Sequence, residues 1–370
     1  MKVHLSDLKL VYEQEIRKNV KNKKKIFKFE TQKIEYLLDI KRVLENNLYD
    51  GGKYNIFLIY KPKLRVVMSQ SIYDKIINHY VSRFILIPKL SKYLNNRNCA
   101  TRKNMGIDYA IKLFKKDIES FKKYKEFYFL KLDISKFFYS IDHNVLLNLI
   151  KEDLTNEEYD LVKVILDSTN KPYINKIIGN FENKLGITLP KYEYNKGLPI
   201  GNQSSQFLAI FYLAKLQHYM IHNLHLKIVT YMDDYIIIHQ NKEYLKECLD
   251  IIIDKLYNEY KLSVNKNKTY IANAKNGIPF LGYNFKVINN KTIIKLSKNS
   301  KKNIKKGIKR TKYLYKNNYI EFSQVFSSIE NYKHSYPYAS KKEVKIYLNY
   351  IGKGNSLVIR IRRTVTTCLM

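Results

Sequence analysis

Three apolar stretches rich in β-branched and aromatic residues give the clearest predictions of strands in this chain. Lys227 to His239 reads KIVTYMDDYIIIH, which predicts a hairpin whose tip carries Asp233 and Asp234. Phe127 to Leu132 predicts a buried strand that ends directly before Asp133. Residues 51–68, GGKYNIFLIYKPKLRVVM, predict a second hairpin, with basic residues around its turn.

Most of the remaining chain shows apolar residues at helical spacing, which predicts helices between these strands. Predicted helices occupy residues 1–50, 71–87, 108–125, 144–170, 207–222, 242–260 and 297–316, and residues 320–351 supply two more. A hairpin-like segment is expected over 172–194, and strands are expected over 262–271 and 278–288. The fold class predicted from this mixture is α+β.

The adjacent carboxylates Asp233 and Asp234 have two interpretations. Two such groups repel each other, and burial without partners would cost several kcal/mol. An exposed Asp-Asp turn avoids that cost. A divalent-cation site on a rigid hairpin also avoids it, because hard oxygen ligands hold magnesium.

Charge indicates the kind of partner. The 370 residues include 67 lysines and arginines but 33 aspartates and glutamates, so the formal net charge is +34. A charge of this size favours a polyanion, and nucleic acid is the expected partner.

Three widely spaced cysteines predict neither a disulfide framework nor a zinc site. Without an apolar leader or membrane span, we expect a cytoplasmic protein of bacterial or phage origin.

Asp133 strengthens the metal interpretation of the acidic pair. Nucleotidyl transfer uses two magnesium ions about 4 Å apart, one activating the primer 3′ hydroxyl and one binding the incoming triphosphate. Asp133 at a strand end and Asp233 with Asp234 on a hairpin supply the required ligands. The alternative for Asp133 is the N-cap of a short following helix.

A loop reading KGLPIGNQSSQ precedes the helix predicted over 207–222. Its free amides and hydroxyls are suited to contacting a sugar-phosphate or a base pair. The alternative is ordinary capping of the helix by Ser204 or Ser205.

The ordered motifs LKLDISKFFYSID, GLPIGNQSSQ, YMDD, NKNKT and FLGY resemble the successive blocks of the reverse transcriptase family, over about residues 55–290. The resemblance implies a right-hand polymerase with fingers, a palm built on a small antiparallel sheet, and a helical thumb. It assigns catalysis to Asp133, Asp233 and Asp234, and it adds the Ile134 carbonyl as a metal ligand. Two Mg²⁺ ions are implied, with Mn²⁺ able to substitute.

The same resemblance assigns the substrate contacts. Phe138 matches the steric gate against a ribose 2′ hydroxyl, and Lys268 matches a late lysine that protonates pyrophosphate. Basic finger residues near the nucleotide are Arg65, Arg102 and Lys103. The primer grip is FLGY, which comprises Phe280, Leu281, Gly282 and Tyr283. The implied partners are template RNA, the cDNA in an RNA–DNA hybrid, and deoxynucleoside triphosphates.

One block narrows the resemblance. Most reverse transcriptases have Gln-Gly where this chain has Ile200-Gly201, and they end the block in Ser-Pro where it has Ser205-Gln206. The form IGNxxSQ is similar to enzymes of diversity-generating retroelements, which misread template adenines and work with a small, helical, basic accessory protein. Because the Ile200 side chain cannot hydrogen-bond to the templating pair, we expect Ile200 to relax discrimination. Ile200, Gly201 and Gln206 are therefore predicted to line the nucleotide site.

Two other functions remain open. A defence-associated reverse transcriptase, of the anti-phage or abortive-infection kind, has variable blocks and is compatible with this chain. A non-catalytic RNA-binding protein on a polymerase scaffold is disfavoured by the three retained aspartates. The predicted organisation is an N-terminal helical extension (1–50), fingers and palm (51–290), a basic helical thumb (291–355) and a C-terminal tail (356–370).

Overall fold

The computed structural model describes residues 1–60 and 63–338. The chain divides into two compact units, one comprising residues 1–114 and 130–271 and the other comprising 115–129 and the residues from 272 onward. The predicted tail over 356–370, and the part of the predicted thumb beyond 338, lie outside the described residues. Within the described part of the chain, no helix has the length and apolar character needed to cross a membrane.

The N-terminal segment is helical, and it is followed by the first hairpin, three helices and the strand β3. The helices are α1 (Leu5–Val11), α2 (Lys23–Glu30), α3 (Lys33–Glu45), α4 (Ile72–Tyr80), α5 (Ile87–Leu90) and α6 (Ile107–Phe121). The strands are β1 (Asn55–Ile59), β2 (Arg65–Ser69) and β3 (Tyr128–Asp133). Turns of π-helix extend α1 over Tyr12–Ile16 and α4 over Val81–Leu86.

Helices dominate the middle of the chain. They are α7 (Phe137–Ser140), α8 (His143–Ile150), α9 (Asn156–Asp167), α10 (Pro172–Leu185), α11 (Gln203–Tyr212), α12 (Ala214–His222) and α13 (Lys242–Asn258). The acidic hairpin lies between the last two, as β4 (Lys227–Tyr231) and β5 (Asp234–His239).

Short strands and two helices form the last described part. The strands are β6 (Tyr270–Asn273), β7 (Ile278–Phe280), β8 (Tyr283–Ile288) and β9 (Lys291–Leu296), and the helices are α14 (Lys298–Lys316) and α15 (Phe322–Ser335). The described strands form three sheets, ordered β1-β2, β4-β5-β3-β6 and β7-β8-β9. The mixture of helices and small sheets confirms the α+β class.

Side-chain caps fix several helix starts. Ser71 accepts a hydrogen bond from the Asp74 amide at the start of α4. A capping box opens α9, in which Thr155 and Glu158 each accept from the other's backbone N–H. Such caps satisfy amides that have no partner within the helix, and each contributes about 1 kcal/mol.

The hairpin predicted over 172–194 is wrong, because most of that segment is α10. Pro172 occupies the first turn, where its missing N–H is tolerated, and Gly186 ends the helix at a φ of +63°. Ile174 and Ile178 are buried in one cluster with Ile56 of β1 and Met68 of β2. Burial of one helical face against the β1-β2 hairpin therefore stabilises α10.

Three smaller expectations also need correction. The helix predicted over 207–222 is interrupted at Leu213, between α11 and α12. Of the strand expected over residues 262–271, only Tyr270 and Ile271 lie in a strand, at the start of β6. Residues 291–296, which the sequence predicts as the start of the helical thumb, form β9 beside β8.

Candidate active site

The acidic pair lies at a tight antiparallel hairpin, as predicted. Tyr231 of β4 pairs with Asp234 of β5, so Met232 and Asp233 form the two-residue turn. Met232 has a φ of +57°, in the left-handed region that non-glycine residues seldom adopt. The connection fixes Asp233 at the tip and Asp234 at the first position of a strand whose next four residues are buried.

Asp133 ends β3, the strand next to β5 in the sheet. Its backbone is held on both sides, because the Thr269 hydroxyl accepts from the Asp133 amide and the Asp133 carbonyl accepts from the Asn265 amide at 2.7 Å. Its carboxylate faces Lys268, whose Nζ lies 3.0 Å from each carboxylate oxygen. The helix that follows has Lys136 at its N-cap position, so the capping alternative for Asp133 is wrong.

Lys131 is a site residue that the sequence argument missed. Its Nζ lies 3.2 Å from Asp234 Oδ1, and both side chains are mostly buried. A signal was present in the sequence, since residues 131 and 133 of one strand point to the same face. Asp133 and Asp234 therefore each form an ion pair with a different lysine: Lys268 pairs with Asp133, and Lys131 pairs with Asp234.

Burial gives the acidic pair unusual electrostatics. Desolvation raises the pKa of both Asp233 and Asp234, and the charge of Asp133 raises both further. The cations Lys268 and Arg65 act against this rise at Asp233. The three carboxylates thus lie within electrostatic range of one another, and additional positive charge there would relieve their repulsion.

The segment carrying Ile200 and Gly201 is attached to β2. The Met68 amide donates to the Ile200 carbonyl at 2.8 Å. Gly201 has a φ of +133°, and a Cβ at this position would lie 2.2 Å from the Met68 carbonyl oxygen. Arg65, the first residue of β2, is one of the two cations that lower the pKa of Asp233. The β2 strand therefore connects the predicted nucleotide-site residues Ile200, Gly201 and Arg65.

Asn202 and Ser204 support this segment from inside the protein. Both are buried. Asn202 Nδ2 donates to the Tyr54 hydroxyl at 2.8 Å, and the Ser204 hydroxyl donates to Asn78 Oδ1 at 2.7 Å. The expectation that Ser204 either caps the helix or meets a ligand is therefore wrong. Gln206, one turn into α11, is half-buried.

The aromatic pair after Asp133 is divided between core and surface. Phe137 is buried, whereas Phe138 is partly exposed. The carbonyl of Phe138 accepts from the Leu198 amide at 2.7 Å, which ties it to the loop containing Ile200. The steric-gate role assigned to Phe138 remains a prediction.

The two other predicted finger cations lie in one loop and differ in their contacts. Arg102 Nη1 donates to the carbonyl oxygens of Asn95 and Asn98, and burial lowers its pKa. Lys103 is exposed. Arg102 thus stabilises its own loop, and the nucleotide contacts assigned to both residues remain predictions.

A family comparison decides the class of this chain. The profile of the reverse transcriptase (RNA-dependent DNA polymerase) family matches residues 53–285. The chain belongs to the reverse transcriptase family. Members of this family are RNA-directed DNA polymerases, a class of nucleotidyltransferase, and the predicted right-hand polymerase class is confirmed.

Solved structures similar to this reverse transcriptase include two of telomerase from Candida tropicalis. The apo form, truncated at its C-terminal domain, is 18% identical with a TM-score of 0.46, over 66% of this chain. The form in complex with a TWJ fragment of telomeric RNA is 13% identical with a TM-score of 0.49, over 86% of this chain. The match spans 55% of the telomerase chain in each case. No curated protein matches the chain.

The carboxylates of this reverse transcriptase suit a divalent cation in their chemistry. Asp234 Oδ1 is buried and accepts no hydrogen bond, although Lys131 lies near it. Within the described residues, no three His, Cys, Asp or Glu side chains are already arranged as a metal cage. Two of the three aspartates are instead paired with lysines, Asp133 with Lys268 and Asp234 with Lys131. Asp133, Asp233 and Asp234 would hold the cation once the lysines release them, and the Ile134 carbonyl remains a predicted ligand.

The predicted primer grip lies in the second unit, at the turn between β7 and β8. Phe280 and Tyr283 are buried, whereas Leu281 and Gly282 form the partly exposed turn. The Gly282 carbonyl accepts from the Ser300 hydroxyl at 2.7 Å, which attaches the turn to the first part of α14. The two aromatic residues therefore lie in the core on either side of the turn, and the primer contact assigned to FLGY remains a prediction.

Proposed function

We propose that this chain is the catalytic part of an RNA-directed DNA polymerase that copies template RNA by two-magnesium nucleotidyl transfer. The observation that carries the proposal is the grouping of Asp133, Asp233 and Asp234 at neighbouring strand ends, with burial raising the pKa of the last two. Bound Mg²⁺ would supply charge neutralisation at the reacting phosphate and activation of the primer hydroxyl. Template RNA, the growing cDNA and deoxynucleoside triphosphates are the substrates.

The protein residues have separate tasks in this proposal. The three aspartates hold the cations in a fixed place, which lowers the reorganisation needed at the moment of reaction. Before a cation binds, Lys131 neutralises Asp234 and Lys268 neutralises Asp133. Once released from Asp133, Lys268 is free to donate a proton to the departing pyrophosphate, the role predicted for it.

We further propose that the enzyme belongs to a diversity-generating retroelement, is error-prone at template adenines, and works with a small helical accessory protein. The support is the sequence Ile200-Gly201-Asn202 together with Gln206, and the attachment of the Ile200 carbonyl to the Met68 amide of β2, the strand that begins at Arg65. An apolar side chain in this fixed place offers no hydrogen bond to a templating pair.

Restoring glutamine at position 200 is expected to improve fidelity. Ile200→Gln should lower misincorporation opposite template adenines by about fivefold, the effect of one net hydrogen bond of about 1 kcal/mol. Sequencing of cDNA made on an adenine-rich RNA measures this, with Ile187→Gln as a control at an exposed loop position. An unchanged error spectrum in Ile200→Gln would contradict the fidelity role.

Removing the ring of Phe138 is expected to admit ribonucleotides. If this ring excludes the 2′ hydroxyl by overlap worth about 1–3 kcal/mol, Phe138→Ala should raise relative ribonucleotide incorporation about 5- to 150-fold. The ratio of kcat/KM for paired dNTP and rNTP substrates measures it. Phe138→Tyr, which keeps the ring, should discriminate as the wild type does; equal discrimination by all three proteins would rule out the steric gate.

A further inference from the structure

We propose that the exposed face of α2 is a second nucleic-acid site, which binds a single-stranded polynucleotide outside the polymerase domain. The helix comprises Lys23–Glu30 and precedes the region that matches the family profile, residues 53–285. The site consists of Lys23, Lys24, Lys28 and Phe27, and we call it the α2 face.

Charge is the first observation. The segment from Arg17 to Lys28 contains no acidic residue. The side chains of Lys23, Lys24 and Lys28 make no ion pair with any residue in the described part of the chain, and all three are exposed. Two nearby cations do form ion pairs. Arg17 Nε lies 2.8 Å from Glu30 Oε1, and Lys33 Nζ lies 3.2 Å from Glu13 Oε1. The lysines of this helix therefore present positive charge that no acidic side chain among the described residues compensates.

The positive potential extends to the adjoining helix α4. Lys75 is half-buried, burial lowers its pKa, and the charge of Lys25 lowers it further. Two lysines that repel each other are stabilised together by an anion between or beside them. A phosphate backbone supplies a row of such anions.

Phe27 is the second, independent observation. It is 71% exposed, whereas Phe29, two residues later, is buried. Lys24 and Lys28 are one helical turn apart, and Phe27 lies on the same side of the helix between them. An exposed ring beside cations suits a strand whose phosphates contact the lysines while an unpaired base stacks on the ring. Duplex would cover the lysines but offers no free base, so the ring favours a single strand.

Other occupants fit less well. The basic accessory protein proposed above would be repelled by the same lysines. Template RNA and newly made cDNA share the chemistry that the α2 face recognises, and the experiment separates them.

The test is the binding of fluorescent single-stranded 20-mers, one RNA and one DNA, to the full-length chain without nucleotide or divalent cation. It therefore does not depend on polymerase activity, and a failure here is distinct from a failure of the proposed function. The variants are Lys23→Ala/Lys24→Ala/Lys28→Ala, Phe27→Ala and Phe27→Tyr. The charge-matched control is Lys92→Ala/Lys246→Ala/Lys255→Ala, whose lysines are paired with Asp153, Glu243 and Glu259.

We expect the α2 lysine variant to bind about tenfold more weakly than the control, with the slope of log affinity against log salt reduced by about 2, since each phosphate contact contributes about 0.7. Phe27→Ala should bind about fivefold more weakly with the slope unchanged, and Phe27→Tyr should bind as the wild type does. Weaker binding of the RNA alone would identify the template as the ligand, and weaker binding of the DNA alone would identify the cDNA. Weaker binding of both would show that the site recognises the chemistry that the two strands share. Equal binding by the α2 lysine variant and the control, or equal binding by Phe27→Ala and Phe27→Tyr, would overturn the proposal.

Discussion

Asp233→Asn is expected to slow nucleotidyl transfer by about 10³-fold or more while leaving the fold intact. The cation site loses a charged oxygen ligand, and stabilisation by such a cation is worth several kcal/mol, with about 1.4 kcal/mol for each tenfold in rate. Stability should not fall. Folding raises the pKa of Asp233, so the ionised carboxylate destabilises the fold above its unfolded pKa, and the neutral amide removes that penalty.

Single-turnover extension of an RNA-templated primer measures the rate, and thermal unfolding at pH 7 measures the stability. Asp250→Asn, at an exposed position on α13, is the matched control and should be active. The assignment would be contradicted if Asp233→Asn kept a rate within tenfold of the wild type. It would also be contradicted if the loss of rate came with a lower midpoint of unfolding, which would indicate a structural role.

Gly201→Ala is expected to destabilise the chain by about 3 kcal/mol and to impair activity. The backbone at φ +133° is strained for any residue with a Cβ, which costs about 1–3 kcal/mol. The new Cβ would also lie 2.2 Å from the Met68 carbonyl oxygen, so the loop carrying Ile200 must separate from β2. Ile200 would then no longer be held by β2, the strand that carries Arg65.

Gly179→Ala is the comparison for this change. Gly179 lies inside α10, and a Cβ there meets nothing within 4 Å. It should therefore stabilise the helix by about 0.5–1 kcal/mol. Urea unfolding of the three proteins provides the measurement, and a Gly201→Ala protein as stable as the wild type would show that the loop does not depend on its contact with β2.

The elements with strong local signals were predictable from the sequence. The acidic hairpin alternates strand-forming residues around a two-residue turn, and β3 ends at Asp133, so local preference and tertiary structure agree there. Both hairpins predicted around residues 51–68 and 227–239 are present. The three catalytic candidates were found because each adjoins a strand end.

The missed features depend on contacts between distant residues. The helix α10 is stabilised by packing on the β1-β2 hairpin, more than 100 residues earlier in the chain, which local periodicity does not reveal. Lys131 becomes a site residue only because β5 lies beside β3. The buried hydrogen bond from Asn202 to the Tyr54 hydroxyl joins residues 148 positions apart. No local rule specifies such pairs.

The central claim, that this chain copies RNA into DNA at the three aspartates, is tested most directly by primer extension. The assay supplies the purified full-length chain with a heteropolymeric RNA template, an annealed primer, the four deoxynucleoside triphosphates and Mg²⁺, with the accessory protein and its RNA added in a parallel reaction. We predict extension along the template by the wild type in at least one reaction, and none by Asp233→Ala/Asp234→Ala in either. Absence of extension by the wild type in both reactions, or equal extension by the double variant, would contradict the account.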